Sequence, residues 1–104
     1  MSETHHSTFI VLADHPSLPG HFPGTPVVPG VVVLDHVLKA GESWRGQALR
    51  VRGLKQVKFH SPLLPGVSAE ISLELSGEAL SFRVARSEQN IAQGVFTLAG
   101  AQSP

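Results

Sequence analysis

His21 and Asp35 are the two side chains whose types and setting could carry out acid–base chemistry. They stand at the two ends of the stretch "HFPGTPVVPGVVVLD", in which prolines and glycines give way to an apolar run. A neutral imidazole accepts a proton near pH 7. A carboxyl group held in an apolar setting favours its protonated form and can act as a general acid. Such a pair suits removal of a proton beside a carbonyl group, followed by loss of a leaving group.

Gly30 adds a third element, because the sequence places it at the N-terminus of a helix. The unpaired N–H groups and the dipole at such a terminus favour developing negative charge. A thioester carbonyl bound there would be polarised as it becomes enolate-like. A residue without a side chain also lets a substrate approach the backbone closely. From spacing alone, a shaped connecting loop and a solvated helix acid remain the competing interpretation.

The elements that must position these residues follow from residue patterning. Residues 7–13 are mostly apolar and β-branched and predict a strand, whereas residues 14–30 are rich in proline and glycine and predict a long, stiff loop. Residues 31–44 predict a helix with a broad apolar face. Its polar face carries Asp35, His36, Lys39, Glu42 and Ser43.

The second half of the chain has a period of two and predicts four strands in hairpin-like succession. These cover residues 49–59, 67–75, 79–86 and 91–100, with an irregularity at Gly53 in the first. In that first strand the predicted inward residues are Leu49, Val51, Val57 and Phe59. One apolar helix and a curved antiparallel sheet can bury each other, so we expect an α+β fold and a single domain over residues 1–104.

Composition excludes several classes of protein and site. Of the 104 residues, 41% are hydrophobic and 15% charged, and the net charge is zero, which argues against binding nucleic acid by bulk attraction. The absence of cysteine excludes disulfides and thiolate metal sites. No segment is apolar for long enough to insert into a membrane. We therefore expect a soluble cytoplasmic protein. No pair of the remaining histidines has a convincing spacing for metal ligands, so we expect no metal site.

The stretch "GHFPGTPVVPGVVVLD" resembles the active-site segment of the β-hydroxyacyl-[acyl carrier protein] dehydratases. The family pattern is roughly H-F-P-G-x-P-x-x-P-G-V-L-x-x-E/D, and residues 21–35 follow it in register. The later stretch "VKFHSPLLPGVSAEISLEL" also resembles a strand–turn–strand segment of that family. The likeness covers most of residues 14–75.

The resemblance implies a hotdog fold, in which a curved antiparallel sheet wraps one helix. It implies that His21 takes the α-proton of a 3-hydroxyacyl thioester and that Asp35 protonates the departing hydroxyl, giving a trans-2-enoyl thioester. It further implies that the N–H of Gly30 holds the thioester oxygen beside Val31, and that Phe22 helps to wall the acyl tunnel. Family members need no cofactor or metal. Their substrates are carried on the phosphopantetheine arm of acyl carrier protein, and their sites form between two subunits of a homodimer or heterodimer.

Two departures from the family pattern keep other functions open. The acid is aspartate, as in the dehydratase/isomerase branch, and Lys39 stands where the family usually has glutamine. Lys39 favours a non-catalytic or half-site hotdog subunit that completes the site of a second dehydratase chain. A hotdog thioesterase is the third alternative, against which the intact register of His21, Gly30 and Asp35 argues.

A basic cluster with no acidic residue within it follows the helix and continues into the next strand. Its members are Arg45, Arg50, Arg52, Lys55 and Lys58. Such a cluster can attract an acidic acyl carrier protein over a long range. Alternatively, Glu70 and Glu74 of the following strand could pair with the same side chains across the sheet.

Overall fold

The structure, a computed structural model, describes residues 2–12 and 27–99. Within these two ranges it has one helix and five strands, which confirms the predicted α+β class. In chain order they are β1 (Glu3–Ile10), α1 (Gly30–Arg45), β2 (Val51–Phe59), β3 (Ser68–Ser76), β4 (Ala79–Arg86) and β5 (Gln89–Leu98).

All five strands form one antiparallel sheet in the order β1-β3-β4-β5-β2, so β1 and β2 are its two edges. The predicted hairpin-like succession holds for β3–β4–β5 but is wrong for β2 and β3. The connection between these two strands crosses to the far side of the sheet, and β4 and β5 lie between them. Neighbouring strands are about 4.8 Å apart, so β2 and β3 are separated by roughly 14 Å.

The core lies between α1 and the inner face of the sheet. In β3 every second side chain is buried, while Glu70 and Glu74 face solvent as the period of two predicts. The helix packs closely on the core at Gly41, where an added Cβ would lie 3.1 Å from Leu49 Cδ1 and 3.2 Å from Leu80 Cδ2. Glycine lowers helix propensity by about 1 kcal/mol relative to alanine, and this close packing offsets that cost.

The two ends of α1 are built differently. The helix begins after Pro29, and no side chain caps this end. At the other end Gly46 takes a left-handed conformation with φ 70°, and its N–H donates to the carbonyl of Glu42 over 2.8 Å. The Glu42 carboxylate then accepts a hydrogen bond from the N–H of Leu49 over 2.9 Å, which fixes the path toward β2.

Strand β1 starts at Glu3, earlier than the pattern predicts, so it includes His5 and His6. The first half of this strand has no apolar alternation, because its two faces carry histidines and other polar side chains. Its inward positions include His5 and Phe9, which are only half-buried. An edge strand with one solvated face does not need the apolar alternation that marks an interior strand.

Strand β2 is irregular, with register shifts between Val51 and Gly53 and between Lys55 and Lys58. The first shift confirms the irregularity predicted at Gly53. Within the second, Gln56 has φ 56°, a left-handed conformation uncommon for a residue with a side chain. Val51 and Phe59 lie opposite the buried Leu98 and Ala92, so they face inward as predicted, but at this edge of the sheet both remain substantially exposed.

Candidate active site

The N-terminus of α1 offers two backbone N–H groups. The N–H groups of Val32 and Val33 donate to the carbonyl of Pro29 over 3.0 and 3.2 Å. The N–H groups of Gly30 and Val31 have no acceptor among the residues that the structure describes. The first turn carries no acidic side chain. This end of the helix can therefore stabilise an oxygen that gains negative charge.

A cavity of about 420 Å³ adjoins this helix end. Its lining is mostly apolar and comes from α1 and the segment before it, the end of β2, the following turn and β5. The lining residues are Val27, Val28, Pro29, Gly30, Val33, Phe59, His60, Ser61, Pro62, Leu63 and Ile91. Its volume lies in the range of small-molecule sites, and an apolar wall beside two hydrogen-bond donors suits an acyl group with a carbonyl at one end.

Backbone hydrogen bonds hold the cavity wall in place. The N–H of Val28 donates to the carbonyl of Leu63 over 2.8 Å, which ties the chain before α1 to the turn after β2. The N–H groups of His60 and Ser61 both donate to the carbonyl of Ile91, over 2.8 and 3.3 Å. The turn, the helix entrance and β5 thus form one connected wall. Sequence patterning did not place the turn at the site, because β2 and β5 are distant in the chain.

The aromatic ring of Phe59 lies directly over Gly30. A Cβ added at Gly30 would be 2.8 Å from Phe59 Cζ, 3.1 Å from Cε1 and 3.3 Å from Cε2. The lack of a side chain at Gly30 is therefore required by the packing of Phe59. Phe59 was predicted only as an inward strand residue. The signal for it in the sequence was its place at the end of a strand, immediately before the turn "HSPLLPG".

Asp35 lies one helical turn beyond the open N–H groups, on the exposed side of α1. Its Oδ2 is 3.0 Å from Nζ of Lys39, and the two side chains are 55% and 69% exposed. Lys39 therefore points at the acid. In the single chain Asp35 is not held in the apolar setting that general-acid chemistry calls for, because solvent and an ammonium group surround it.

The other predicted site residues stand as follows. His21 and Phe22 lie outside the described residues. Val31 lies in the first turn of α1, which begins at Gly30, and its side chain is exposed beside the cavity-lining Gly30.

The basic cluster is smaller than predicted. The side chain of Arg45 is only 8% exposed and donates to Glu3 Oε2 over 2.8 Å, so it belongs to the interior of the fold. The exposed members are Arg50, Arg52, Lys55 and Lys58. The alternative pairing with Glu70 and Glu74 is wrong, because the strand order puts two strands between β3 and β2.

Histidines outside the site make contacts with other parts of the fold. His5 stacks on Trp44 with ring centroids 5.2 Å apart, and His36 stacks on Phe9 at 4.7 Å. Within residues 2–12 and 27–99, no three acidic or histidine side chains come together as metal ligands. No helix in these ranges has the length and apolar character needed to cross a membrane.

Comparison with known proteins places the chain in a family. A family model described as ApeI-like, ApeI dehydratase, matches residues 1–95. The 3-hydroxyacyl-[acyl-carrier-protein] dehydratase FabZ of Magnetococcus marinus is 34% identical over 71 residues, covering 60% of this chain and 46% of that protein. FabZ of Desulforamulus reducens is 32% identical over 72 residues, covering 62% and 51%. The chain thus spans about half the length of these curated relatives.

Solved structures give the same fold. The dehydratase heterocomplex ApeI:P from Xenorhabdus doucetiae matches with a TM-score of 0.81 at 24% identity, covering 94% of this chain and 93% of that one. A mutant of the fluoroacetyl-CoA-specific thioesterase FlK matches with a TM-score of 0.61 at 19% identity, covering 91% and 82%. These likenesses confirm the predicted hotdog fold. Because the family model covers most of its length, the chain belongs to the ApeI-like dehydratases, within the hydroxyacyl-[acyl carrier protein] dehydratase family that its motif resembles.

Proposed function

We propose that this protein dehydrates 3-hydroxyacyl thioesters, carried on acyl carrier protein, to trans-2-enoyl thioesters. The observation that carries the proposal is the uncapped N-terminus of α1, where the N–H groups of Gly30 and Val31 stand beside an apolar cavity. Asp35 follows on the same helix, and His21 precedes it in the register of the family motif. The FabZ relatives support the same chemistry.

In the proposed mechanism the thioester oxygen accepts a hydrogen bond from the N–H of Gly30. His21 removes the proton at C2, and the negative charge that develops on the oxygen is stabilised by the helix terminus. The C2–H electrons then form the C2=C3 double bond as the C3–O bond breaks. The hydroxyl takes up a proton and leaves as water, so atoms and charge balance without a metal or nucleotide.

The ion pair of Asp35 with Lys39 allows two sources for the proton on the departing hydroxyl. If the pair opens in the assembled site and the carboxylate takes up a proton from solvent, Asp35 donates that proton to the hydroxyl, and His21 releases the proton from C2 to solvent after the product leaves. If the pair stays closed, the carboxylate orients the hydroxyl, and His21 returns the proton that it took from C2. An exposed i, i+4 pair contributes about 0.5 kcal/mol, so substrate binding or burial by a partner suffices to open it.

We propose that a second hotdog subunit, either a copy of this chain or a related one, completes the site along β2. Among the residues that the structure describes, this strand forms one edge of the sheet, and it exposes the apolar side chains Val51 and Leu54. Exposed apolar side chains on an unpaired edge are characteristic of a surface that is covered in an assembly. A partner there would also lie close to the N-terminus of α1, because Phe59 contacts Gly30.

The same strand supports docking of acyl carrier protein as the substrate carrier. Arg50, Arg52, Lys55 and Lys58 are exposed, and the strand order removes β3 glutamates as competing partners. Attraction between this cluster and an acidic carrier would speed encounter and weaken as salt is raised. We expect the KM for an acyl carrier protein substrate to rise with salt more than the KM for an uncharged pantetheine thioester.

The test is hydration of a trans-2-enoyl thioester by the purified protein, followed as loss of conjugated-enoyl absorbance. We expect His21→Ala to lower the rate by about 100-fold or more and Asp35→Asn to lower it strongly. The exposed His6 provides a matched control, and His6→Ala should retain the wild-type rate. Equal rates for wild type and His21→Ala would remove His21 as the base. No wild-type turnover with several chain lengths on a carrier protein would exclude a stand-alone enzyme.

A non-catalytic or half-site subunit is the second candidate, and the Asp35–Lys39 ion pair is the observation that favours it. The variant Lys39→Gln restores the residue usual in the family. If the chain is an enzyme, we expect this variant to change the hydration rate by less than about fivefold, since the exposed pair is weak. A chain inactive alone, but active once a second hotdog subunit is added, would establish the half-site function instead.

A further inference from the structure

We propose that Phe59 restricts this site to acyl thioesters that are unbranched at C2, the carbon next to the carbonyl. The proposal rests on the function given above and identifies a selectivity residue for it. Three observations carry it: the contact of Phe59 with Gly30, the exposure of its ring, and its place in the cavity wall.

The first observation fixes where the ring lies. Phe59 ends β2 directly opposite Ala92 of β5, which is fully buried, so the Phe59 side chain lies on the inner face of the sheet. The tip of the ring, Cζ with Cε1 and Cε2, fills the volume that a methyl group on Gly30 would occupy. Contacts of 2.8–3.3 Å to such a methyl are shorter than van der Waals packing permits.

The second observation is that contacts within the fold bury only part of the Phe59 ring. Phe59 is 51% exposed and yet lines the cavity beside the helix terminus. An aromatic ring with a free face next to an apolar cavity has surface to offer an acyl chain, and aromatic side chains contribute much of the binding energy in such sites.

These positions determine which groups fit beside the carbonyl. An oxygen that accepts a hydrogen bond from the N–H of Gly30 lies about 2.9 Å from that nitrogen, next to the Cα on which the ring tip rests. With the acyl chain in the cavity that Gly30 and Phe59 both line, the carbonyl carbon and C2 lie against the ring. Two hydrogens on C2 leave the ring in place, whereas a methyl group on C2 requires space that the ring excludes. One methyl group in a tight apolar site changes affinity by about 10- to 200-fold.

The experiment measures binding of two saturated pantetheine thioesters, butyryl and 2-methylbutyryl, to the full chain by calorimetry. Neither compound can lose or gain water, so the readout does not depend on catalysis. We expect wild type to bind the butyryl thioester at least about tenfold more tightly. In Phe59→Ala the preference should fall to about threefold or less. Phe59→Leu, which keeps an apolar side chain in case alanine destabilises the fold, should be intermediate.

Two further variants test the geometry. Leu64 lies in the turn that follows β2, is exposed to a degree similar to that of Phe59 and does not line the cavity. Leu64→Ala should therefore keep the wild-type preference for the butyryl thioester. Gly30→Ala should weaken binding of both thioesters, because its methyl group displaces the ring. The double variant Gly30→Ala with Phe59→Ala should recover part of that loss, which would show that the two residues are coupled.

The outcomes separate the two proposals. If wild type binds neither thioester and hydrates no enoyl thioester, the proposed function fails and the role of Phe59 fails with it. If wild type binds the butyryl thioester but Phe59→Ala leaves the preference unchanged, only the role of Phe59 is overturned. A preference lost equally in Leu64→Ala would also overturn it, because the effect would then not depend on the ring over Gly30.

Discussion

The two edge strands of the sheet relate to the same helix in opposite ways. Strand β1 is joined to α1 by three side-chain contacts: an ion pair of Glu3 with Arg45 at 2.8 Å and stacked rings of His5 on Trp44 and Phe9 on His36. Strand β2 instead carries two bulges and leaves apolar side chains in solvent, and its last residue contacts the helix terminus beside the cavity. We call β1 the closed edge, because these contacts join it to α1. We call β2 the open edge, because we propose that a partner subunit binds there.

The largest effect should come from placing a charge on the open edge. Leu54 on β2 and Ile10 on β1 are similarly exposed, at 41% and 46%, so the same substitution can be compared on both edges. We expect Leu54→Glu to weaken subunit association by about 100-fold or more, because a buried charge without a partner is costly. Ile10→Glu should leave association unchanged. Analytical ultracentrifugation over a range of concentrations measures both.

Equal effects of Leu54→Glu and Ile10→Glu would contradict the difference between the edges. Activity provides a second readout, since the proposed site is completed by the partner. Leu54→Glu should lose hydratase activity in parallel with association, while its secondary structure, followed by circular dichroism, remains that of wild type.

The next largest effect should come from removing the ion pair that joins β1, the closed edge, to α1. The side chain of Arg45 is almost fully buried and pairs with Glu3, so Arg45→Ala removes both packing and an ion pair. We expect it to lower the free energy of unfolding by about 2 kcal/mol. Arg50→Ala, an exposed arginine near the open edge, should change it by less than about 0.5 kcal/mol. Urea denaturation measures both, and similar values for the two variants would show that Arg45 does not hold β1 to the helix.

The smallest effect concerns two adjacent histidines on β1. His5 stacks on Trp44, whereas His6 is exposed and its Nδ1 lies 3.2 Å from Ser72 Oγ on the outer face. We expect His5→Ala to lower the free energy of unfolding by about 1 kcal/mol through loss of the stacked ring. His6→Ala should lower it by less than about 0.5 kcal/mol. If His6→Ala were the more damaging of the two, the stack would not be part of what closes this edge.

Local patterns were sufficient where a residue's environment is decided by its near neighbours. The alternation in β3 placed Glu70 and Glu74 outward, and the helical period placed Asp35 and Lys39 together on the exposed side of α1. The motif predicted the hotdog fold, because it resembles the active-site segment of a family whose members have that fold.

Features that depend on strand order could not be predicted in the same way. Nothing in the spacing shows that β2 pairs with β5 and not β3, since antiparallel pairs of either kind satisfy the same alternation. The burial of Arg45 depends on its contact with Glu3 of β1, which lies more than 40 residues earlier in the chain. The position of Phe59 over Gly30 likewise depends on the end of β2 lying next to the N-terminus of α1.

The most direct test of the account is to locate a bound acyl thioester by its effect on backbone amides. The protein has a second groove, on the outer face of the sheet, whose lining includes Thr4, Ser72 and Arg83. In a titration of ¹⁵N-labelled protein with butyryl-pantetheine, we expect the amide signals of Gly30 and Val31 to shift in a saturable way while those of the outer groove stay unchanged. Shifts confined to the outer groove, with Gly30 and Val31 unaffected, would contradict the claim that the N-terminus of α1 holds the reacting carbonyl.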